Sequence, residues 1–216
     1  MSMEFVAAHF AVRAKGDVTV VQIGAFDGHA NDPVHDALER FGWRGVLVEP
    51  QPEPFQHLAD RHRENPRVQT FNVALSDRDG EQPLYYLPEA SDLPGFARQL
   101  ASFDRQHVAK HSRNLPGIAV ENRIETMQVT TWTVDTLLRE AQVERIDILQ
   151  VDAEGFDYQA LQLFDLPLRL PRVVNYEHQH LSRADRDAAV GLLLSLGYRV
   201  AMNYGSADTI AYRDGV

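Results

Sequence analysis

The chain has 216 residues, 44% hydrophobic and 24% charged, a balance that suits one folded domain around one large core and excludes a disordered linker. Its net charge of -10 argues against duplex nucleic acid or an anionic membrane as the main partner, because either would repel the average surface. With no cysteine, disulfides, thiolate catalysis, cysteine-held zinc and iron–sulfur clusters are excluded, while His, Asp and Glu remain available to a metal.

The first residues, Met1-Ser-Met-Glu4, carry no basic region followed by an apolar run, and no later stretch has membrane-spanning length, so the cytoplasm is the expected compartment. Val18-Thr-Val-Val-Gln-Ile-Gly24 is β-branched and ends in a glycine turn, the pattern of a buried parallel strand. A helix over 32–41 puts Val34, Ala37, Leu38 and Phe41 on one stripe, with Gly42 placed to end it. A strand over 45–49 stops at Pro50, and Phe55, Leu58 and Ala59 give the helix from Pro52 to Arg63 its inner face. Residues 68–75 read as a third strand, and Asp79-Gly80 as the turn into a short one holding Leu84, Tyr85 and Tyr86.

From 88 to 126 the alternation breaks around Pro94, Gly95, Pro116 and Gly117, with one helix expected between 96 and 112. An irregular stretch of that length inside a regular fold reads as a lid or substrate-binding insertion. The pattern resumes with Thr133 capping a helix that carries Val134, Leu137 and Leu138, a strand over 146–151 and a helix over 155–164. A strand over 173–177 follows, then a Ser182/Asp185 capping pair and a helix with Ala189, Leu192, Leu193 and Leu196 inward, closed by Gly197. Two last strands, 198–204 and 208–213, meet at Gly205-Ser206, the second entering antiparallel. The sum is an α/β fold: a doubly wound, mostly parallel seven-stranded sheet flanked by helices, one domain over 1–216 with an insertion at 88–126.

Ligands of such a sheet gather beyond the carboxyl ends of its strands, where four polar clusters fall. Gly24-Ala25-Phe26-Asp27-Gly28 turns tightly enough to bring backbone near a ligand, and Glu49, at the end of the second strand, sits where a carboxylate accepts ribose hydroxyls. A dinucleotide is disfavoured: the third and sixth positions of the glycine turn are Phe26 and His29, which keep a pyrophosphate away from the backbone. A cofactor with a ribose but no pyrophosphate fits better. Asp152 and Glu154 flank a turn closed by Gly155, and Glu177-His178-Gln179-His180 follows the fifth strand. These offer either a base, His178 oriented by Asp152 or Glu177, or a hard divalent cation held by the same acids; the metal reading is the less favoured. His180 reads as a supporting or surface residue.

The segments Val21-Gln-Ile-Gly24-Ala-Phe-Asp-Gly28, Val48-Glu49-Pro50, Asn72-Val-Ala-Leu-Ser-Asp77, Ile148-Leu-Gln-Val-Asp-Ala-Glu-Gly155 and Tyr176-Glu177-His178 resemble, in order, the blocks of the FkbM-type family of S-adenosylmethionine-dependent methyltransferases. The likeness runs from about residue 18 to residue 212, and its most specific part is the strand-four block with the late Glu177. It implies a Rossmann-like class I methyltransferase fold, S-adenosyl-L-methionine as cofactor, and methyl transfer to a hydroxyl of a sugar, polyketide or related small molecule. By the same likeness Gly24, Ala25, Asp27 and Gly28 lie along the methionine and ribose, Glu49 takes the ribose hydroxyls, and Asn72, Val73 and Ala74 lie near adenine. Asp152 and Glu154 then face the space between cofactor and acceptor. Gln22 stands where many class I methyltransferases carry an acid; its carbonyl still accepts from the methionine amine but without charge assistance.

Arg98, Arg105, Lys110 and Arg113 against Asp104 give residues 98–113 a net charge of +3, which suits an acidic small-molecule or glycan acceptor, and Tyr85, Tyr86, Phe96 and Phe103 offer it apolar contacts. Other readings are N-methyl transfer to a small molecule, a nicotinamide oxidoreductase, and a non-catalytic cofactor-binding protein. Nothing in the sequence sets the oligomeric state.

Overall fold

The strands that read as continuous apolar runs form the centre of a sheet covered on both faces. The computed structural model describes residues 18–29, 32, 34–90, 92–111, 120–202 and 207–213. Its first part contains β1 (Thr19–Ile23), α1 (His35–Phe41), β2 (Arg44–Val48), α2 (Pro52–His62), β3 (Val68–Phe71), β4 (Ala74–Leu75) and β5 (Gly80–Tyr86). Then come a 3-10 turn (Gly95–Gln99), β6 (Ala101–Ser102), α3 (Arg105–His111), a second 3-10 turn (Val120–Asn122), β7 (Glu125–Trp132) and α4 (Val134–Glu140). The last part holds β8 (Ile148–Val151), α5 (Asp157–Leu163), α6 (Leu166–Arg169), β9 (Val173–Glu177), α7 (Arg183–Ser195), β10 (Arg199–Met202) and β11 (Asp208–Tyr212).

Seven strands make the main sheet in the order β10-β11-β9-β8-β1-β2-β3, with β11 alone antiparallel to its neighbours. Side chains alternate across it. On one face Val21, Leu149 and Val174 pack with Leu137 of α4, Leu161 of α5 and Leu193 of α7; on the other Val20, Leu47 and Ile148 pack with Ala37 and Leu38 of α1 and Leu58 of α2. The expected caps form: Thr133 Oγ1 accepts from Thr136 N, Ser182 Oγ accepts from Asp185 N, and Gly42 ends α1 in the left-handed conformation. Inside the sheet three amide side chains occupy partnered positions of adjacent strands, Gln22, Gln150 and Asn175, each at most 2% exposed. Asn175 Nδ2 donates to Gln150 Oε1 at 2.7 Å.

A second sheet, in the order β4-β7-β5-β6, departs from the sequence reading in three ways. The single strand expected over 68–75 is two strands in two sheets: Asn72 Nδ2 donates to the carbonyls of Glu49 and Pro50, clamping the crossover, after which Ala74 and Leu75 pair with Thr131 and Trp132. The helix expected within 96–112 is divided, because Ala101 and Ser102 pair with Tyr86 and Tyr85; α3 then starts behind Asp104, whose Oδ1 accepts from Gln106 N. β7 was not expected at all, although Met127, Val129 and Thr131 alternate with Gln128 and Thr130 along it. It pairs antiparallel with the whole length of β5. Pro83 is tolerated in β5 because only Tyr85 and Tyr86 bond to the strand on its other side.

The described residues between 88 and 126 thus hold more regular structure than the sequence pattern implies. Leu87, Ala97, Leu100, Val108 and Val120 form a small core of their own. Arg113, Pro116, Gly117 and the turn at Gly205-Ser206 lie outside the described residues. Among the described residues no helix is long and apolar enough to cross a membrane.

Phe164 is fully buried in the larger core layer, so Phe164→Ala leaves a cavity that the helices around it only partly close. A loss of about 3–5 kcal/mol in urea-induced unfolding is expected.

Candidate active site

The carboxyl ends of β1, β2 and β8 converge on Gly24. Its amide and that of Ala25 both donate to Val48 O, while Asp152 N donates to Ile23 O. Gly24 has φ +78°, and a Cβ on it would stand 1.7 Å from the Asp152 carbonyl oxygen, so no other residue permits this approach. The chain then turns through Phe26, also at positive φ, whose N–H donates to Glu49 Oε2 at 2.9 Å; Gln51 N donates to Glu49 Oε1 at 2.8 Å. Each carboxylate oxygen of Glu49 therefore carries one backbone amide and keeps capacity for a ligand hydroxyl. Burial pushes the Glu49 carboxyl up to about 7 against the pull of those two amides.

The loop after β8 is built on Asp157, whose carboxylate accepts from Ala153 N at 3.2 Å and Gly155 N at 3.1 Å. Burial first, then repulsion from Asp152, raises Asp157 to about 7. The loop presents Asp152, raised to about 6 by burial and by Asp208 and Asp32, and Glu154, raised well above the usual carboxylate range by burial and the nearby acids. Glu154 sits at φ +48°, an uncommon conformation for a residue with a side chain. Glu177, at the end of β9, is pushed up to about 10 by burial and by Asp152, Glu154, Asp157 and Asp208. His180 Nε2 lies 3.5 Å from Glu154 Oε2 and 3.5 Å from Glu177 Oε1.

Between these loops lies a pocket of about 560 Å³, its open mouth included. Of the residues singled out from the sequence, Gly24, Glu49, Val73, Ala74, Asp152 and Glu154 line it. Ala101, Ser102 and Phe103 of the inserted region form one wall, and Phe103 meets Phe156 edge to face at 5.9 Å. The size and the few converging polar groups are those of a small-molecule site.

The other named residues stand around this pocket. Gln22 is buried behind the Gly24 turn, donating from Nε2 to Asp32 Oδ1, and among the described residues its Oε1 accepts no hydrogen bond. Asp27 Oδ1 accepts from His29 N at the outer edge of the turn, Gly28 N donates to Ala25 O, and Asn72 acts as the clamp described above. The His178 ring has Nδ1 3.0 Å from Thr209 Oγ1, and burial lowers its pKa. Glu177 is not among the residues that line the pocket; its Oε1 lies 3.5 Å from His180 Nε2, the nitrogen that stands 3.5 Å from Glu154 Oε2. Arg98, expected to attract an acidic acceptor, pairs with Glu53 and Glu89, and Arg105 donates to Glu121 O. Sequence reasoning missed Asp32 and Asp157, read His180 only as a supporting or surface residue, and did not bring His107 to this loop. Their signals were weak: Asp32 follows Gln22 by ten residues, and His107 belongs to a segment whose path the sequence leaves open.

A family profile described as a methyltransferase FkbM domain matches residues 22–200. The chain belongs to the FkbM methyltransferase family. No curated protein matches it. Among solved structures, the methyltransferase FkbM of Methylobacillus flagellatus KT superposes with TM-score 0.55 at 11% identity, covering 91% of this chain and 43% of that one. The chain thus spans less than half the length of that relative. Precorrin-6y C5,15-methyltransferase of Geobacter metallireducens GS-15 gives 0.51 at 11% identity over 98% of this chain and 87% of that one, and the N-terminal domain of human METTL16 gives 0.50 at 10% over 98% and 66%. These likenesses carry the fold alone. FkbM membership implies S-adenosylmethionine as the methyl donor, and the residues fit it: backbone exposed flush at Gly24, an amide-anchored carboxylate at Glu49, and a buried acceptor at Gln22 Oε1.

Two outcomes test this geometry. Gly24→Ala is expected to lower stability by at least about 2 kcal/mol in thermal unfolding, since backbone and not a flexible side chain blocks the new Cβ. Glu49 and Asp157 hold protons in the folded chain that the unfolded chain has released between their ordinary values of 4.5 and 3.8 and about 7. Their contribution is therefore complete below that window and lost as pH rises through about 7. From these two groups, moving from pH 8 to pH 6 should add on the order of 2 kcal/mol, read as a higher Tm, and Glu49→Gln with Asp157→Asn should remove that part of the rise while leaving the part due to Asp152, Glu154 and Glu177.

Proposed function

We propose that the chain transfers the methyl group of S-adenosylmethionine to a hydroxyl oxygen of a sugar, polyketide or related small molecule, as one domain in which residues 88–126 select the acceptor. The observation that carries this reading is the pairing, across one pocket, of the anchored Glu49 carboxylate with the crowded acids Asp152 and Glu154. Glu49 suits the two hydroxyls of a ribose. Phe26 and His29 in the turn continue to argue against a pyrophosphate and hence against a nicotinamide cofactor.

In the transfer the methyl–sulfur bond breaks with its electron pair returning to sulfur, which loses its positive charge, while the acceptor oxygen forms the new carbon–oxygen bond. The hydroxyl proton must leave during or before attack, a step worth about 10²–10⁴ in rate when a positioned group assists it. We assign that assistance to the corner where Glu154, Glu177 and His180 meet, beside the pocket, in preference to His178, whose ring is engaged with Thr209. In support of an acceptor role for the insertion, its residues Ala101, Ser102 and Phe103 line the same pocket as Glu154.

Titration calorimetry with S-adenosylmethionine, S-adenosylhomocysteine and NAD tests the donor. The two sulfur nucleosides should bind and NAD should not, and Glu49→Gln should weaken S-adenosylhomocysteine by about 1.5–3 kcal/mol. Tight NAD binding with neither sulfur nucleoside bound would overturn the reading. For the chemical step, His180→Ala should lower kcat by at least about 10²-fold and His178→Ala by less; the reverse order would return proton removal to His178.

A further inference from the structure

Beside the donor pocket, three parts of the chain far apart in sequence bring metal-binding side chains together. His107 comes from α3, Glu154 from the loop after β8 and His180 from the turn after β9, and one ligand atom of each lies within 4.8 Å of the other two. His107 is held there by its backing: its ring lies on Gly155, where a Cβ would come within 2.2 Å of Cε1, and it meets the His180 ring edge to face at 5.7 Å. Gly155 has φ +90°, so both conformation and space reserve that position for glycine.

The spacing is informative. His180 Nε2 stands 3.5 Å from an oxygen of Glu154 and 3.5 Å from an oxygen of Glu177, beyond ordinary hydrogen-bond length. Two ligand atoms bonded at about 2.0–2.1 Å to one tetrahedral ion are separated by roughly 3.4 Å. Among the described residues, Glu154 Oε2 and Glu177 Oε2 are buried and accept no hydrogen bond, so both carboxylates face this corner with acceptor capacity left over.

We propose that His107, Glu154 and His180 bind a divalent transition-metal ion, with Glu177 beside His180 at its edge. Two imidazoles with carboxylates suit zinc, manganese, iron or cobalt and disfavour magnesium and calcium, which take oxygen ligands. Because His107 belongs to the inserted region and Glu154 to the pocket, the ion ties the acceptor-selecting wall to the catalytic loop. Its chemistry there is that of a Lewis acid, making an acceptor hydroxyl easier to deprotonate. That role rests on the methyl-transfer reading; the binding does not.

Tag-free protein stripped with EDTA and titrated with Co²⁺, followed by visible absorption, tests the site, with Mg²⁺ in parallel. A saturable Co²⁺ spectrum at one ion per chain is expected, displaced by Zn²⁺ and not produced or displaced by Mg²⁺. Glu154→Gln and His107→Gln, checked for folding by circular dichroism, should each weaken Co²⁺ binding at least tenfold. Absence of a saturable spectrum, or binding unchanged in both variants, would overturn the site. S-adenosylhomocysteine titrated into the same wild-type protein separates the two ideas: nucleoside binding without Co²⁺ binding removes only the metal, and Co²⁺ binding without the nucleoside removes only the donor reading.

Discussion

The backbone of Gly24 passes under the Asp152 carbonyl closely enough that a single added carbon would collide with it, and the site depends on that contact. Because β1 and β8 can close to this distance, the turn after β1 folds over β2, Phe26 N reaches Glu49, and the β8 loop is brought across from both. A larger residue would separate three strand ends at once. Backbone amides, not side chains, then do most of the anchoring: two hold Glu49 and two hold Asp157. Amides cannot rotate away, so the carboxylates are fixed before any ligand arrives.

That fixation concentrates acids where desolvation disfavours their charge. Glu49, Asp152, Glu154, Asp157 and Glu177 are all raised, with burial the largest cause in each and mutual repulsion adding to it. An arrangement of this kind costs stability and is maintained by the packed layers beneath it. A sulfonium donor and a metal ion are both cations, and either lessens the repulsion on arrival. The polarity of the site therefore matches what it is proposed to bind.

The main sheet was legible because β1, β8 and β9 are buried on both faces and read as unbroken apolar runs, and because Thr133, Ser182 and Gly42 mark helix ends with side-chain or glycine chemistry. The second sheet was not. β5 and β7 are largely exposed, β4 and β6 are two residues long, and the alternation of β7 adjoins an irregular stretch that masks where it begins. At the site, residues at strand ends were foreseeable from position alone: Gly24, Glu49, Asp152 and Glu154 line the pocket. His107 was not, since its place depends on how α3 folds back onto Gly155, a contact between residues 48 positions apart that no local pattern encodes.

The buried amides Gln22, Gln150 and Asn175 lie two residues before Gly24, Asp152 and Glu177 on three adjacent strands. Strand side chains repeat every two residues, so the amide row and the row of site groups share one face and one alignment. A slip of a single residue between β8 and β9 would part Gln150 from Asn175, leave polar groups stranded in an apolar interior, and turn Asp152 and Glu177 to opposite sides of the sheet. The hydrogen bond deep in the sheet thus works as a gauge. By penalising every other alignment, it measures out the distance at which the two acids above it stand abreast.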